Sequence, residues 1–234
     1  MAITIQSTAE AASHGVKALV YGASGSGKTR LAATLPGTTL ILSAEAGLLS
    51  LREYDLPAIT INSIKDLEEA FDYCSGPDGK GIDNLVLDSL SEIAEQILEN
   101  EKATVKDGRL AYAALGEKVI SIAKGFRDLQ GKNVIMIAKV ERMKDELSGG
   151  LLFTPSFPGS KLAGNLPYYF DEVFYLRVEK DGDGNSSRWI QTQQDNQIIA
   201  KDRSGVLDQF EPADLGAIIN KIAATSAKPA KKGK

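Results

Sequence analysis

The 234-residue sequence contains one cysteine, one histidine and one tryptophan. A solitary Cys74 excludes an intramolecular disulfide and a cysteine-based zinc site. In the stretch "DLEEAFDYC" it reads as a small apolar residue on a helix. His14, alone near the N-terminus, reads as a solvated side chain rather than a ligand or catalytic base. No apolar run reaches the roughly 18–20 residues of a membrane span. The start "MAITIQSTAEAASHG" lacks the basic-then-apolar pattern of a secretion signal, so a cytoplasmic location without a membrane partner is expected. No internal repeat is present.

What the chain does have is an ordinary globular composition, 43% hydrophobic and 25% charged, and a length that can bury one substantial core. Its net charge of −4 is unevenly spread. The last twelve residues, "AATSAKPAKKGK", hold four lysines and no acid, which leaves −8 on residues 1–222. An acidic body argues against a general duplex-DNA binder, so any nucleic-acid contact must come from local basic patches. The expected organisation is an N-terminal extension over 1–14, a core over 15–222 and a disordered basic tail over 223–234.

Short apolar strands alternate with helical stretches, the pattern of an α/β fold with a mostly parallel central sheet flanked by helices. Strands are expected at Val16–Tyr21, Thr39–Ser43, Ala58–Ile61, Asn84–Leu87 and Asn133–Ala138. Helices are expected at Thr29–Leu35, Ile64–Cys74, Ser91–Lys102 and Ala111–Leu129. In the last, Leu115, Val119, Ile122, Ala123 and Phe126 recur at spacings of three and four, which makes one apolar stripe. From residue 141 to 164 the sequence is rich in glycine and proline and reads as a long functional loop. "DEVFYLRVEK", "DGDGNSS" and "RWIQTQ" then read as a C-terminal antiparallel hairpin. A last helix follows, with Pro212 near its first turn.

Gly22, Ala23, Ser24, Gly25, Ser26, Gly27, Lys28 and Thr29 satisfy G-x-x-x-x-G-K-[ST] between a strand and a helix, the context that gives this motif its meaning. Glycines let successive backbone N–H groups turn toward phosphate oxygens. Lys28 would reach the β- and γ-phosphates of ATP, Thr29 would offer its hydroxyl to Mg²⁺, and the helix N-terminus would add partial positive charge. The magnesium shell needs an acid at a neighbouring strand end, and Asp88 in "NLVLDSL" is in that position. Asp88 also suits a helix N-cap, and only the upstream P-loop tips the reading toward metal. The residue after it is Ser89 and not a glutamate, so the remaining acid at a strand end, Glu45 in "LSAEAGL", is the candidate base for the attacking water. A glutamate in a surface turn is the competing reading.

A P-loop, then a strand ending in Ala-Glu-x-Gly-Leu, then a strand ending in Leu-Asp-Ser resembles the RecA-type ATPase core. The resemblance covers roughly residues 15–205, and short phage-encoded RecA-core proteins that anneal or recombine single-stranded DNA look closest. It implies ATP hydrolysis by Glu45, magnesium at Thr29 and Asp88, and a homo-oligomer, ring or filament, with ATP between subunits. It further implies two DNA-facing loops. The first, Asn100–Arg109, carries Lys102, Lys106 and Arg109. The second, Glu141–Gly164, carries Arg142, Lys144 and Lys161, with Phe153 and Phe157 placed to stack on bases. Lys201 and Arg203 match basic residues that the family sends into the neighbouring subunit's site. Lys139 stands where the family has an amide that senses the γ-phosphate. A single-strand-binding protein is a further partner compatible with the family, and a phage origin would place the chain in a bacterial host cytoplasm. Two other uses of the P-loop stay open: helicase loading or packaging without direct annealing, and a small-molecule kinase.

Overall fold

The computed structural model describes residues 15–45, 47–144 and 149–226. The expected N-terminal extension, His14 and the lysines of the tail lie outside these residues. All six residues of β1 (Lys17–Gly22) are buried, with Leu19 and Tyr21 entering one core and Ala18 and Val20 the other. A strand apolar on both sides requires a sheet covered on both faces, and that is what forms. β2 (Thr39–Ser43), β3 (Ala58–Thr60), β4 (Asn84–Asp88), β5 (Asn133–Lys144), β6 (Leu151–Ser156), β7 (Glu172–Lys180), β8 (Ser186–Gln191), β9 (Lys201–Asp202) and β10 (Phe210–Pro212) complete the sheet. The main path runs β10-β8-β7-β1-β5-β4-β2-β3, parallel from β7 to β3 and antiparallel at β7–β8 and β8–β10. The expected architecture, a mostly parallel α/β core with a C-terminal antiparallel hairpin, is thus the one observed.

One face is covered by α1 (Ile64–Ser75), α2 (Leu90–Thr104) and α3 (Gly108–Arg127). Ser63, Ser89 and Asp107 cap these helices by accepting from Asp66 N, Glu92 N and Arg109 N. The cap of α2 is therefore Ser89, and the Asp88 carboxylate is left for other work. On the opposite face lie a 3₁₀ turn (Thr29–Thr34) and α5 (Leu215–Ser226), joined through Leu31, Leu35, Leu215 and Ile218.

Three expectations need correction. The segment after the P-loop is a six-residue 3₁₀ turn and not an α-helix. Pro36 follows directly and biases Leu35 to its extended conformation, so the helix dipole expected there is small. Among the described residues, 141–164 is not a loop. β5 runs on past the sheet to Lys144 and pairs antiparallel with β6, and the short α4 (Ser160–Asn165) follows. Prolines misled because Pro155 sits on β6, which pairs along its length with β5 alone; on its other side the bonds are those of Phe153 with Gln197 O and Ile199 N. Pro212 closes β10 instead of opening the last helix, and that helix continues to Ser226, past the Ala223 where the tail was expected to begin.

Candidate nucleotide site

β1 delivers the glycine-rich loop at its C-terminal end, and the loop's shape depends on two glycines. Gly25 and Gly27 have φ of +73° and +100°, which side chains with a Cβ rarely adopt. Gly22 is needed for space instead, since a Cβ there would stand 2.9 Å from Leu176 O. Ser26 Oγ is buried without a partner among the described residues. Lys28 Nζ donates to Gly22 O and Ala23 O, each at 2.9 Å. Burial pushes the Lys28 ammonium below its ordinary pKa, while Glu45 and Asp88 pull it back up.

β5 lies between β1 and β4, yet the segment after the β1 loop reaches the end of β4: Thr29 Oγ1 donates to Asp88 Oδ2 at 2.6 Å. Burial raises the Asp88 pKa, with the Thr29 hydrogen bond opposing. A hydroxyl and a carboxylate oxygen brought together beside a phosphate loop form a donor set suited to Mg²⁺, which takes one or two protein oxygens and shares the rest with phosphates and water. No group of three or more His, Cys, Asp or Glu that could hold a metal alone occurs among the described residues.

Glu45 follows β2, which pairs with β4 up to Ser43 and Asp88. Its backbone N–H and that of Ala44 both donate to Asp88 O, at 3.1 and 2.7 Å. Ser89 Oγ donates to Glu45 Oε1, so the carboxylate is tied to the strand end that carries Asp88. Glu45, Asp88, Ser89, Thr29 and Lys28 are thereby brought into one site.

Arg188 was not anticipated. It comes from β8, and its Nε donates to Ser26 O at 2.9 Å, with the side chain 3.2 Å from where a Gly27 Cβ would be. It braces the loop on its carbonyl side, opposite the N–H groups that would face phosphate. Only the register of the C-terminal hairpin brings it there, so no local sequence signal could have found it.

Other expected site residues lie elsewhere. Lys139 ion-pairs with Glu92 and Glu95 on α2, at 3.0 and 2.9 Å. Lys201 sits opposite Val173, level with Leu19, toward the start of β1 and away from the P-loop. Its Nζ donates to Pro167 O and Phe170 O of its own chain, and Arg203 pairs with Asp171 at 2.7 Å. Lys102 is on the last turn of α2, Lys106 precedes the cap of α3, and Arg109 is in the first turn of α3; all three are exposed. Arg142 and Lys144 are exposed on the β5–β6 arm, and Lys161 is exposed on α4. Phe153 packs half-buried against Tyr175 and under Arg142. Phe157 is only 4% exposed in the main core, so its expected role in stacking on bases does not hold.

A glycine loop whose lysine and threonine face a strand-end aspartate across the sheet defines a P-loop nucleotide-binding domain. The chain belongs to an AAA domain family (AAA_24), whose model matches residues 14–204. No curated protein matches it. Among solved structures it is similar to a KaiC-like protein, PH0186, from the hyperthermophilic archaeon Pyrococcus horikoshii OT3. That similarity has 13% identity and a TM-score of 0.43, covering 76% of this chain and 78% of that one.

Proposed function

We propose that the protein is a Mg²⁺-dependent ATPase that works as an oligomer on single-stranded DNA, promoting its annealing or recombination. The observation that carries this reading is the Ser89 bridge: it fixes the Glu45 carboxylate beside Asp88 and Thr29, as a RecA-type site requires of its base. Glu45 orients water and accepts its proton as the γ-phosphate is attacked. Lys28 leaves the loop carbonyls for the β- and γ-phosphates, where it stabilises charge in the transition state. Thr29 and Asp88 would hold Mg²⁺, which would supply neutralisation of phosphate charge. Arg203, 58% exposed and paired only at the surface, is the better candidate to enter a neighbouring copy's site, since Lys201 is tied to carbonyls of its own chain. A cytoplasmic setting suits this activity, and no helix among the described residues is long and apolar enough to cross a membrane.

The test is annealing of complementary oligonucleotides by purified protein, run beside ATP turnover with and without single-stranded DNA. DNA should raise turnover, and Glu45→Gln should retain ATP binding while turnover falls about 100-fold or more. Turnover indifferent to DNA, with no annealing, would leave helicase loading or packaging as the use of the ATPase.

A further inference from the structure

The exposed face of α3 and the segment running from Pro158 through α4 enclose a groove of about 1210 Å³. Arg109, Tyr112, Gly116 and Lys124 lie along α3 at steps of three, four and eight, one stripe about 22 Å long. Lys161 and Asn165 line the opposite wall. The groove thus unites cations from the two segments that the sequence marks as separate DNA-facing loops.

Its aromatic groups differ from those expected. Phe157 is in the core and Phe153 packs on Tyr175, whereas Tyr112 is 45% exposed at the groove. The Tyr112 ring rests against Gly159, where a Cβ would come within 3.3 Å of it, and Lys102 Nζ stands 5.6 Å from its centroid. Farther along, Lys124 lies 4.9 Å from the centre of the Tyr169 ring. An exposed aromatic ring, Tyr112, among cations on both walls of one groove is what a single strand of nucleic acid needs. Its phosphates seek charge, and its bases seek flat apolar faces. Of the two acids in the lining, Asp107 turns its carboxylate to Arg109 N as the cap of α3, which leaves Glu117 as the other acid in a lining that holds Arg109, Lys124 and Lys161.

We infer that this groove is where the single strand lies, with Tyr112 as its stacking platform and Arg109, Lys124 and Lys161 on its phosphates. The inference rests on the proposed action on single-stranded DNA and adds where that action occurs.

The experiment is fluorescence anisotropy of labelled oligo-dT with the full chain, Mg²⁺ and a non-hydrolysable ATP analogue, across a salt series. Tyr112→Ala should weaken binding about tenfold while Tyr112→Phe binds as wild type does. Lys124→Glu combined with Lys161→Glu should weaken it further and make the salt dependence shallower by about two phosphate contacts. These side chains are exposed, and thermal melting of each variant serves as the check on folding. Wild type that binds oligo-dT, with all variants within twofold of it, would overturn the groove and spare the proposed function. Wild type that fails to bind even at low salt would overturn both. Unchanged DNA binding with a changed sedimentation coefficient in the charge-reversed variant would make the groove a contact between copies and overturn the inference.

Discussion

Lys28 and Lys17 stand at opposite ends of β1, and each gives its ammonium group to two backbone carbonyls. The carbonyls on Lys28 belong to Gly22 and Ala23, six and five residues away within its own loop. Those on Lys17 belong to Leu129 and Lys132, 112 and 115 residues away, where α3 ends and β5 begins. Lys132 repeats the device, donating to Gly79 O and Ile82 O. One end of the sheet therefore uses lysines to join distant parts of the chain. At the other, the lysine's contacts are local and exchangeable for phosphate. The same residue type serves cohesion at the start of the strands and chemistry at their ends, the crevice where open α/β sheets place their ligands.

The largest effect expected from breaking this contrast is at the P-loop. Lys28→Ala should reduce ATP turnover about 100-fold or more. Its melting temperature should stay close to wild type, because the contacts it gives up are local to its own loop and the one to Ala23 O is exposed. A fall in melting temperature with turnover preserved would reverse the assignment of the two ends.

Arg188→Ala should act more gently at the same end. Removing its hydrogen bond to Ser26 O withdraws a brace from the loop without touching phosphate-facing groups. Loss of about 1 kcal/mol corresponds to roughly fivefold weaker nucleotide binding, with kcat at saturation little changed. Isothermal titration with an ATP analogue reads the first and steady-state kinetics the second. A large fall in kcat with unchanged affinity would instead make Arg188 a group that acts on the transition state.

The difference between the ends also governs what could be seen in the sequence. Residues on the phosphate side follow local rules: Gly22–Thr29 is a contiguous motif, and Asp88 and Glu45 each end an apolar strand, so period and spacing expose them. The parallel core was legible for the same reason, since strands buried on both faces read as short apolar runs. Arg188 was not, because the antiparallel register of β7 and β8 alone decides that it, and not Ser187, meets Ser26. The β5–β6 arm was hidden because its pairing tolerates Pro155, and Gly149, at φ +71° just before β6, is of the type that marks loops. Lys201 looked like a cation for a neighbouring copy from its spacing to Arg203, but the fold turns its ammonium onto Pro167 O and Phe170 O.

At the cohesive end, Lys17→Met should leave KM and kcat as they are and lower stability. The methionine fills similar volume but leaves Leu129 O and Lys132 O without their donor, a cost of about 2 kcal/mol, or roughly 4–8 °C in Tm for a chain of this size. Burial has already pushed the Lys17 ammonium down to about 8, so part of the hydrogen-bond gain offsets its desolvation. Denaturant midpoints measured beside turnover separate the two readouts. Loss of activity at unchanged stability would place Lys17 in the nucleotide machinery.

Glu172→Gln should be silent in turnover and visible only in the pH dependence of stability. Glu172 opens β7 nearly fully buried, with Oε1 accepting from Ser204 N at 3.3 Å and Asp202 beside it. Burial first, then the charge of Asp202, push its carboxyl up to about 8 from an ordinary 4.5. Between these values the folded protein keeps a proton that the unfolded chain has released, so wild-type stability falls as pH rises through that window. Below the window both states are protonated and the full stability is present; above it both are ionised and the loss is complete. Glutamine keeps the shape and cannot ionise, so urea midpoints for the variant should decline less than wild type from about pH 5 to about pH 9. The variant should be the more stable of the two at the alkaline limit. Parallel curves would mean that Glu172 is already ionised at neutral pH, with Ser204 N and the backbone around it bearing the charge.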